Sequence, residues 1–79
     1  MYKLLDTVAL TRDIPEVELC RGDLGAIVEL LATGAVAVEF VSGSGRTQAL
    51  LTLHPEDIRH VGDRDVIAVR PLERADTPS

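Results

Sequence analysis

The sequence predicts an all-β fold. Apolar and polar residues alternate over several short segments, glycine-containing turns separate these segments, and none of them shows the periodicity of a long helix. The chain has 79 residues, which is enough for one small domain. A domain of this length buries only about 60% of the surface that its unfolded chain exposes, so a partner subunit would add stability.

The first strand is predicted at residues 4–10, in which Val8 and Leu10 share one face. Residues 11–21 are predicted to form a loop, because Pro15 lacks a backbone N–H and ends strand pairing. The apolar residues of this loop are expected to pack onto the core: Ile14, Val17 and Leu19.

Three further strands are predicted at residues 24–32, 35–41 and 46–53. A turn at residues 33–34 joins the first two. A Gly-Ser loop at 42–45 joins the next two, because its glycines allow positive φ angles. The side chains expected to face inward are those of Val36, Val38, Phe40, Thr47, Ala49, Leu51 and Leu53.

The C-terminal part is predicted to contain a short 3₁₀ turn at residues 54–57, a fifth strand at 65–70 and a flexible tail at 71–79. Five short strands joined by tight turns hide their edges by closing on themselves. The sequence therefore predicts a small five-stranded SH3-like β-barrel over residues 1–70, with a 3₁₀ turn before the last strand.

The formal net charge of −5 comes from 13 acidic and 8 basic residues, and the basic residues are scattered along the chain. Nucleic-acid binding draws on clustered cations and often on aromatic platforms for unpaired bases. The chain has neither, so its composition argues against nucleic acid and anionic membrane surfaces and favours a basic protein partner.

Cys20 is the only cysteine, so no disulfide can form within the chain. The N-terminal residues do not have the layout of a signal peptide, and no apolar run approaches the roughly 20 residues that a membrane span needs. These features predict a cytoplasmic protein that does not act at a membrane.

The stretch RGDLG at residues 21–25 contains two glycines ahead of an apolar segment. A phosphate-binding loop would need more glycines, a lysine and a following helix, whereas a strand is predicted to follow here. We interpret Gly22 and Asp23 as a turn, and Gly25 as a position at which another strand approaches closely.

The candidate reactive side chains do not form a catalytic or metal-binding pattern. His54 and His60 flank a turn, and a metal site needs three or four ligands brought together. Cys20 has no histidine beside it in sequence, and Asp6 is interpreted as an acceptor for backbone N–H groups rather than as a catalytic acid. We therefore predict that the protein is not an enzyme and takes no cofactor.

Several apolar residues fall on strand faces opposite the predicted core, where they would form an exposed patch of the kind that usually marks an interface. Glu29 and Glu39 lie at outward positions of the second and third strands and are expected to be cross-strand neighbours within the same binding surface. The apolar residues predicted for this surface are Leu5, Ile27, Leu31, Val41 and Leu50.

Four stretches cover roughly residues 4–61: LLDTVALTRDIPE, LCRGDLGAIVELL, AVAVEFVSGSGRTQALLTL and PEDIRHV. In this order and spacing they resemble a family of small bacterial proteins defined only as domain of unknown function 4926. The resemblance implies an SH3-like barrel and transfers no catalytic residue. It also implies a protein partner encoded by a neighbouring gene, because family members resemble one half of small two-gene modules.

These features together predict a non-catalytic protein-binding module, either a homo-oligomer or the accessory, antitoxin-like subunit of a two-gene bacterial module. A nucleic-acid-binding SH3-like domain is one alternative, and the net charge argues against it. A small toxin-like ribonuclease is a second alternative, and its support is limited to the tripeptide Arg21-Gly22-Asp23.

Overall fold

The computed structural model describes residues 1–72, and its regular structure is one antiparallel sheet of five strands. The strands are β1 (Thr7–Leu10), β2 (Leu24–Leu30), β3 (Val36–Val41), β4 (Thr47–Leu53) and β5 (Ile58–His60). Two 3₁₀ turns accompany them, Pro15–Val17 in the first loop and Pro55–Asp57 directly before β5. The predicted all-β class, the strand number and the 3₁₀ turn before the last strand are confirmed.

The strand order in the sheet is β4-β3-β2-β1-β5. The first four strands pair in chain order, as expected for strands joined by short turns. The chain then crosses to the other end of the order, where Ile58 pairs with Leu10 and His60 pairs with Val8. β4 and β5 are therefore the two end strands of the sheet.

All five strands contribute side chains to one hydrophobic core. The predicted inward set of β3 is confirmed, since Val36, Val38 and Phe40 are all buried. Because the end strands β4 and β5 both supply this cluster, the sheet curls around it. The first loop covers part of the core as predicted, with Ile14 and Leu19 buried and Val17 partly buried against the cluster.

Gly25 on β2 lies close against residues of β3. A Cβ atom at this position would lie 2.6 Å from Val38 Cγ1 and 2.9 Å from Phe40 Cε1. Only glycine fits there without displacing the core, so the predicted close approach at Gly25 is confirmed.

The prediction of a fifth strand at residues 65–70 is wrong, because β5 lies at Ile58–His60. The main-chain N–H of Thr11 bonds to the carbonyl of Asp57, so the chain leaves the 3₁₀ turn already beside the end of β1. β1 is only four residues long, and Ile58–His60 pairs with the edge of β1 that β2 leaves open. Residues 65–70 do not form a strand, and Val66 and Val69 are 91% and 95% exposed.

β1 is also shorter than the predicted segment 4–10, because residues before it form a turn. The main-chain N–H of Asp6 donates to the carbonyl of Lys3, and the Asp6 carboxylate accepts the N–H of Lys3 at 2.8 Å. Leu5 takes a positive φ of 69° within this turn, which a strand would not allow.

The predicted tail at 71–79 lies mostly outside the described residues. Pro71 and Leu72 are exposed and have no regular structure, and residues 73–79 are not described. None of the helical turns in residues 1–72 is long and apolar enough to cross a membrane.

Candidate binding surface on the outer face of the sheet

The outer face of β3 and β4 follows from the alternation of side chains along β3. Because Val38 and Phe40 point into the core, the residues between and after them, Glu39 and Val41, point away from it. On β4, Leu50 lies directly opposite Glu39. We call Glu39, Val41, Thr47 and Leu50 the outer patch.

The two apolar members of the outer patch are well exposed. Leu50 is 63% exposed and Val41 is 56% exposed, although both belong to regular strands. The prediction that Thr47 faces inward is wrong, because a bulge between Phe40 and Val41 shifts the register so that Thr47 lies opposite Val41 and is exposed. The Thr47 hydroxyl donates a 2.6 Å hydrogen bond to Glu39 Oε2, which links β4 to β3 on the outer face.

Three of the five apolar residues predicted for the surface are exposed, namely Leu5, Val41 and Leu50. Leu5 is 77% exposed and lies in the turn before β1, away from the outer patch on β3 and β4. Its main-chain N–H donates to the carbonyl of Ile27 at 2.7 Å, so Leu5 lies beside β2. The apolar residues predicted for one surface therefore occupy separate parts of the molecule.

The prediction that Ile27 is a surface residue is wrong, because its side chain is fully buried opposite Val38. The sequence periodicity of β2 is misleading since a bulge between Ile27 and Glu29 reverses the alternation within the strand. Leu31 is half-buried. It lines a shallow open groove of about 390 Å³ that is also bordered by Tyr2, Leu30 and Pro55.

Glu29 and Glu39 both belong to the outer face but do not lie opposite each other. Glu29 pairs with Ala37, whereas Glu39 pairs with Ala26 on β2. The bulge in β2 separates the two carboxylates along the sheet, so the predicted direct cross-strand contact is wrong. Glu29 is exposed and Glu39 is half-buried beside Leu50.

β4 carries Thr47 and Leu50 of the outer patch along one end of the sheet, and no strand within residues 1–72 pairs with its outer side. The carbonyl of Ala35 accepts the N–H of Leu31, so the alternation along β3 turns the main chain of Val36, Val38 and Phe40 toward β4. Their partners on β4 are Leu53, Leu51 and Ala49. The main-chain groups of Leu50 and Thr52 therefore point outward from the sheet edge.

The RGD tripeptide forms a turn that the C-terminal segment closes. Gly22 has a φ of 93°, in agreement with the predicted turn. The Asp23 carboxylate accepts the N–H of Cys20 at 2.8 Å and two hydrogen bonds from Arg70, at 3.0 and 2.6 Å. Burial alone would raise the pKa of Asp23, but the hydrogen bonds from Arg70 and Cys20 outweigh it and hold this pKa below its ordinary value.

A cluster of Tyr2, Asp6 and His60 joins the N-terminal segment to β5. The rings of Tyr2 and His60 stack with centroids 4.2 Å apart, and His60 Nε2 lies 3.4 Å from Asp6 Oδ2. The Tyr2 hydroxyl donates to the carbonyl of Ile58. Sequence reasoning missed this cluster because no local pattern links residues so far apart. Its contacts hold the N-terminus against the sheet, and Asp6 is a hydrogen-bond anchor as predicted.

The other two candidate reactive residues are His54 and Cys20. His54 precedes the second 3₁₀ turn and its main-chain N–H donates to Asp57 Oδ2 at 3.1 Å, which ties the start of the turn. Cys20 is exposed. Within the described part of the chain, no three or more histidine, cysteine and carboxylate side chains are grouped closely enough to hold a metal ion.

Comparison with known proteins identified a family. A family model described as a domain of unknown function, DUF4926, matches residues 4–60, which end at the last residue of β5. Searches of curated proteins and of solved structures found no match. The matched range contains the complete sheet and the outer patch.

Proposed function

Since the chain belongs to the DUF4926 family, which assigns no activity, we propose from its surface that it is a non-catalytic protein-binding module. The observation that carries this proposal is the position of Leu50. It is well exposed, lies opposite Glu39, and sits in the middle of an end strand whose outer side is free of any described strand. An exposed apolar side chain on a strand edge that is left unpaired is typical of a site of association.

The negative charge of the molecule favours a basic partner, and we propose that a neighbouring gene encodes it. A second copy of the chain is the other candidate partner. The net charge is −5, and Glu29 and Glu39 both lie on the outer face. Three of the basic side chains are engaged by carboxylates of the same chain, in the pairs Arg12–Asp57, Arg59–Asp65 and Arg70–Asp23. Cations held in this way are less available to phosphate groups, which supports a protein partner over nucleic acid.

The proposed role is that of a homo-oligomer or of an antitoxin-like accessory subunit acting in the cytoplasm. A chain of 79 residues with one small core gains stability from burying its outer patch against a partner. The lone exposed cysteine is compatible with a reducing compartment.

The experiment compares the association of the wild-type chain with that of Val41→Lys and Leu50→Lys. Both side chains are exposed, so both variants are expected to fold. Self-association is measured by sedimentation, and binding by isothermal titration with any small protein that co-purifies in stoichiometric amount. The proposal expects at least one substitution to weaken an association.

Val66→Lys, at a position that is 91% exposed and lies outside the sheet, is the matched control for the same change from an apolar side chain to a lysine. A chain that stays monomeric and retains no partner, or an association that neither patch substitution alters, contradicts the proposal. Retention of RNA or DNA at low salt in a filter-binding titration would also contradict it.

A further inference from the structure

We propose that two copies of this chain pair antiparallel through the outer edges of their β4 strands, with Leu50 of each copy on the two-fold axis. The inference rests on the proposed function, since it names a second copy as the partner and the β4 edge as the surface. Pairing of this kind would join the two sheets into one continuous sheet.

The main chain of β4 is suited to this pairing. Leu50 is the middle residue of the seven-residue strand Thr47–Leu53, so an axis through it uses the strand on both sides equally. The N–H and C=O groups of Leu50 and Thr52 face away from β3, as the register of the sheet requires. Two antiparallel copies can therefore exchange both main-chain hydrogen bonds between their Leu50 residues.

The side chains of β4 are complementary in the same register. Leu50 lies opposite Leu50 on the outer face, so two exposed apolar side chains cover each other. On the inner face, Ala49 of one copy lies opposite Leu51 of the other. Leu51 is only half-buried within a single copy, so the pairing extends the core across the junction.

The charge distribution permits two acidic copies to meet along this edge. The strand TQALLTL contains no charged residue and no proline, which are the usual means of preventing edge-to-edge association. The nearest carboxylate across from Leu50 is Glu39, one strand away from the edge. In the pair, the two Glu39 positions are separated by three strand spacings, about 14 Å, which exceeds the screening length of about 8 Å at physiological salt.

The experiment is sedimentation equilibrium of the full chain over a range of concentrations, with Leu50→Lys and Val41→Lys as a matched pair. Leu50→Lys places two like charges face to face on the axis, and we expect it to raise the dimer dissociation constant at least about tenfold. Val41 is equally exposed but lies on β3, away from the edge. We expect Val41→Lys to leave the dissociation constant within about twofold of wild type.

Thr52→Pro is a second edge substitution. The N–H of Thr52 faces away from β3, so proline removes an edge donor without removing a hydrogen bond to β3, and it is expected to weaken the dimer as well. A dimer that survives both edge substitutions but is lost in Val41→Lys overturns the inference while supporting the proposed function through the outer face. A chain that stays monomeric but retains another protein through the outer patch has the same consequence. A monomeric chain without any patch-dependent partner overturns both.

Discussion

Arg70 holds Asp23 through both carboxylate oxygens, at 3.0 and 2.6 Å, although 47 positions separate the two residues. The same guanidinium donates to the carbonyl of Glu18 at 3.0 Å. The segment that follows β5 is thereby fastened to the first loop, which itself covers the core through Ile14 and Leu19.

This ion pair predicts a pH-dependent contribution to stability. The pKa of Asp23 is lowered in the folded chain from its ordinary value of 3.8, so the contribution is present above that value and is lost as the pH falls through the lowered pKa. Asp23→Asn is expected to reduce the free energy of unfolding by about 1 to 2 kcal/mol at neutral pH.

The difference between Asp23→Asn and wild type should vanish in strong acid, where both side chains are uncharged. Urea unfolding of the two proteins across the acidic range measures it, with Asp63→Asn as the control at an exposed carboxylate. A penalty for Asp23→Asn that stays constant down to the lowest pH would show that the charge does not contribute.

The opposite surroundings of Ile27 and Leu50 predict very different costs of truncation. Ile27 is fully buried, so Ile27→Ala should lower the free energy of unfolding by about 2 to 5 kcal/mol. Leu50 is exposed on the outer face, so Leu50→Ala should change it by less than about 0.5 kcal/mol when the protein is dilute. Equal costs in chemical denaturation would contradict the position of the β2 bulge.

The contact of Gly25 with β3 predicts that even one methyl group is harmful there. Gly25→Ala would bring Cβ to within 2.6 Å of Val38, and the resulting overpacking is expected to cost about 1 to 3 kcal/mol. Gly43→Ala is the control, because the space around that position is open. Thermal unfolding of both variants is the measurement, and a Gly25→Ala protein as stable as the control would refute the close approach.

Because the last strand of the sheet ends at His60, we predict that a chain shortened after this strand still folds. A chain ending at Asp65 keeps all five strands and the Arg59–Asp65 ion pair but lacks Arg70. It should unfold cooperatively, with a loss of stability that matches Arg70→Ala, because both changes remove the contacts with Asp23 and Glu18. Loss of the cooperative transition in circular dichroism would mean that residues beyond 65 belong to the fold.

The alternation in the sequence was sufficient to predict β3, β4 and most of the core. Each of these strands has an unbroken run of alternating residues over the part that builds the core, and a glycine-containing turn bounds it. The first 3₁₀ turn begins at Pro15, the residue that predicted the end of strand pairing. These features depend on residues that are close together in the chain, so they can be predicted from the sequence alone.

The same local patterns did not predict the position of β5 or which side chains of β2 point into the core. The pattern at residues 65–70 alternates like a strand, but the short strand β1 is already paired by Ile58–His60. In β2 a single bulge reverses the alternation, and it moved Ile27 from the predicted surface into the core. Both errors concern pairing between segments that are distant in the chain. The periodicity of one segment does not show which other segment it pairs with, or in which register.

The sequence predicted only part of the candidate surface, because local alternation reveals which side chains are exposed but not which strands pair. Val41 and Leu50 belong to strands whose alternation is regular around them, and both are exposed. The free outer side of β4 depends on the strand order, which becomes visible only in the folded sheet. The stacking of Tyr2 on His60 likewise depends on the pairing of β5 with β1.

The measurement that tests the proposed β4 edge most directly is amide hydrogen exchange, residue by residue, at low and high protein concentration. The amides of Ala49 and Leu51 face β3 and should be protected at both concentrations. Those of Leu50 and Thr52 should exchange quickly in dilute protein and slow markedly in concentrated protein, as the second copy covers them. Rapid exchange of Leu50 and Thr52 at every concentration, or equal protection of all four amides in the monomer, would contradict the account.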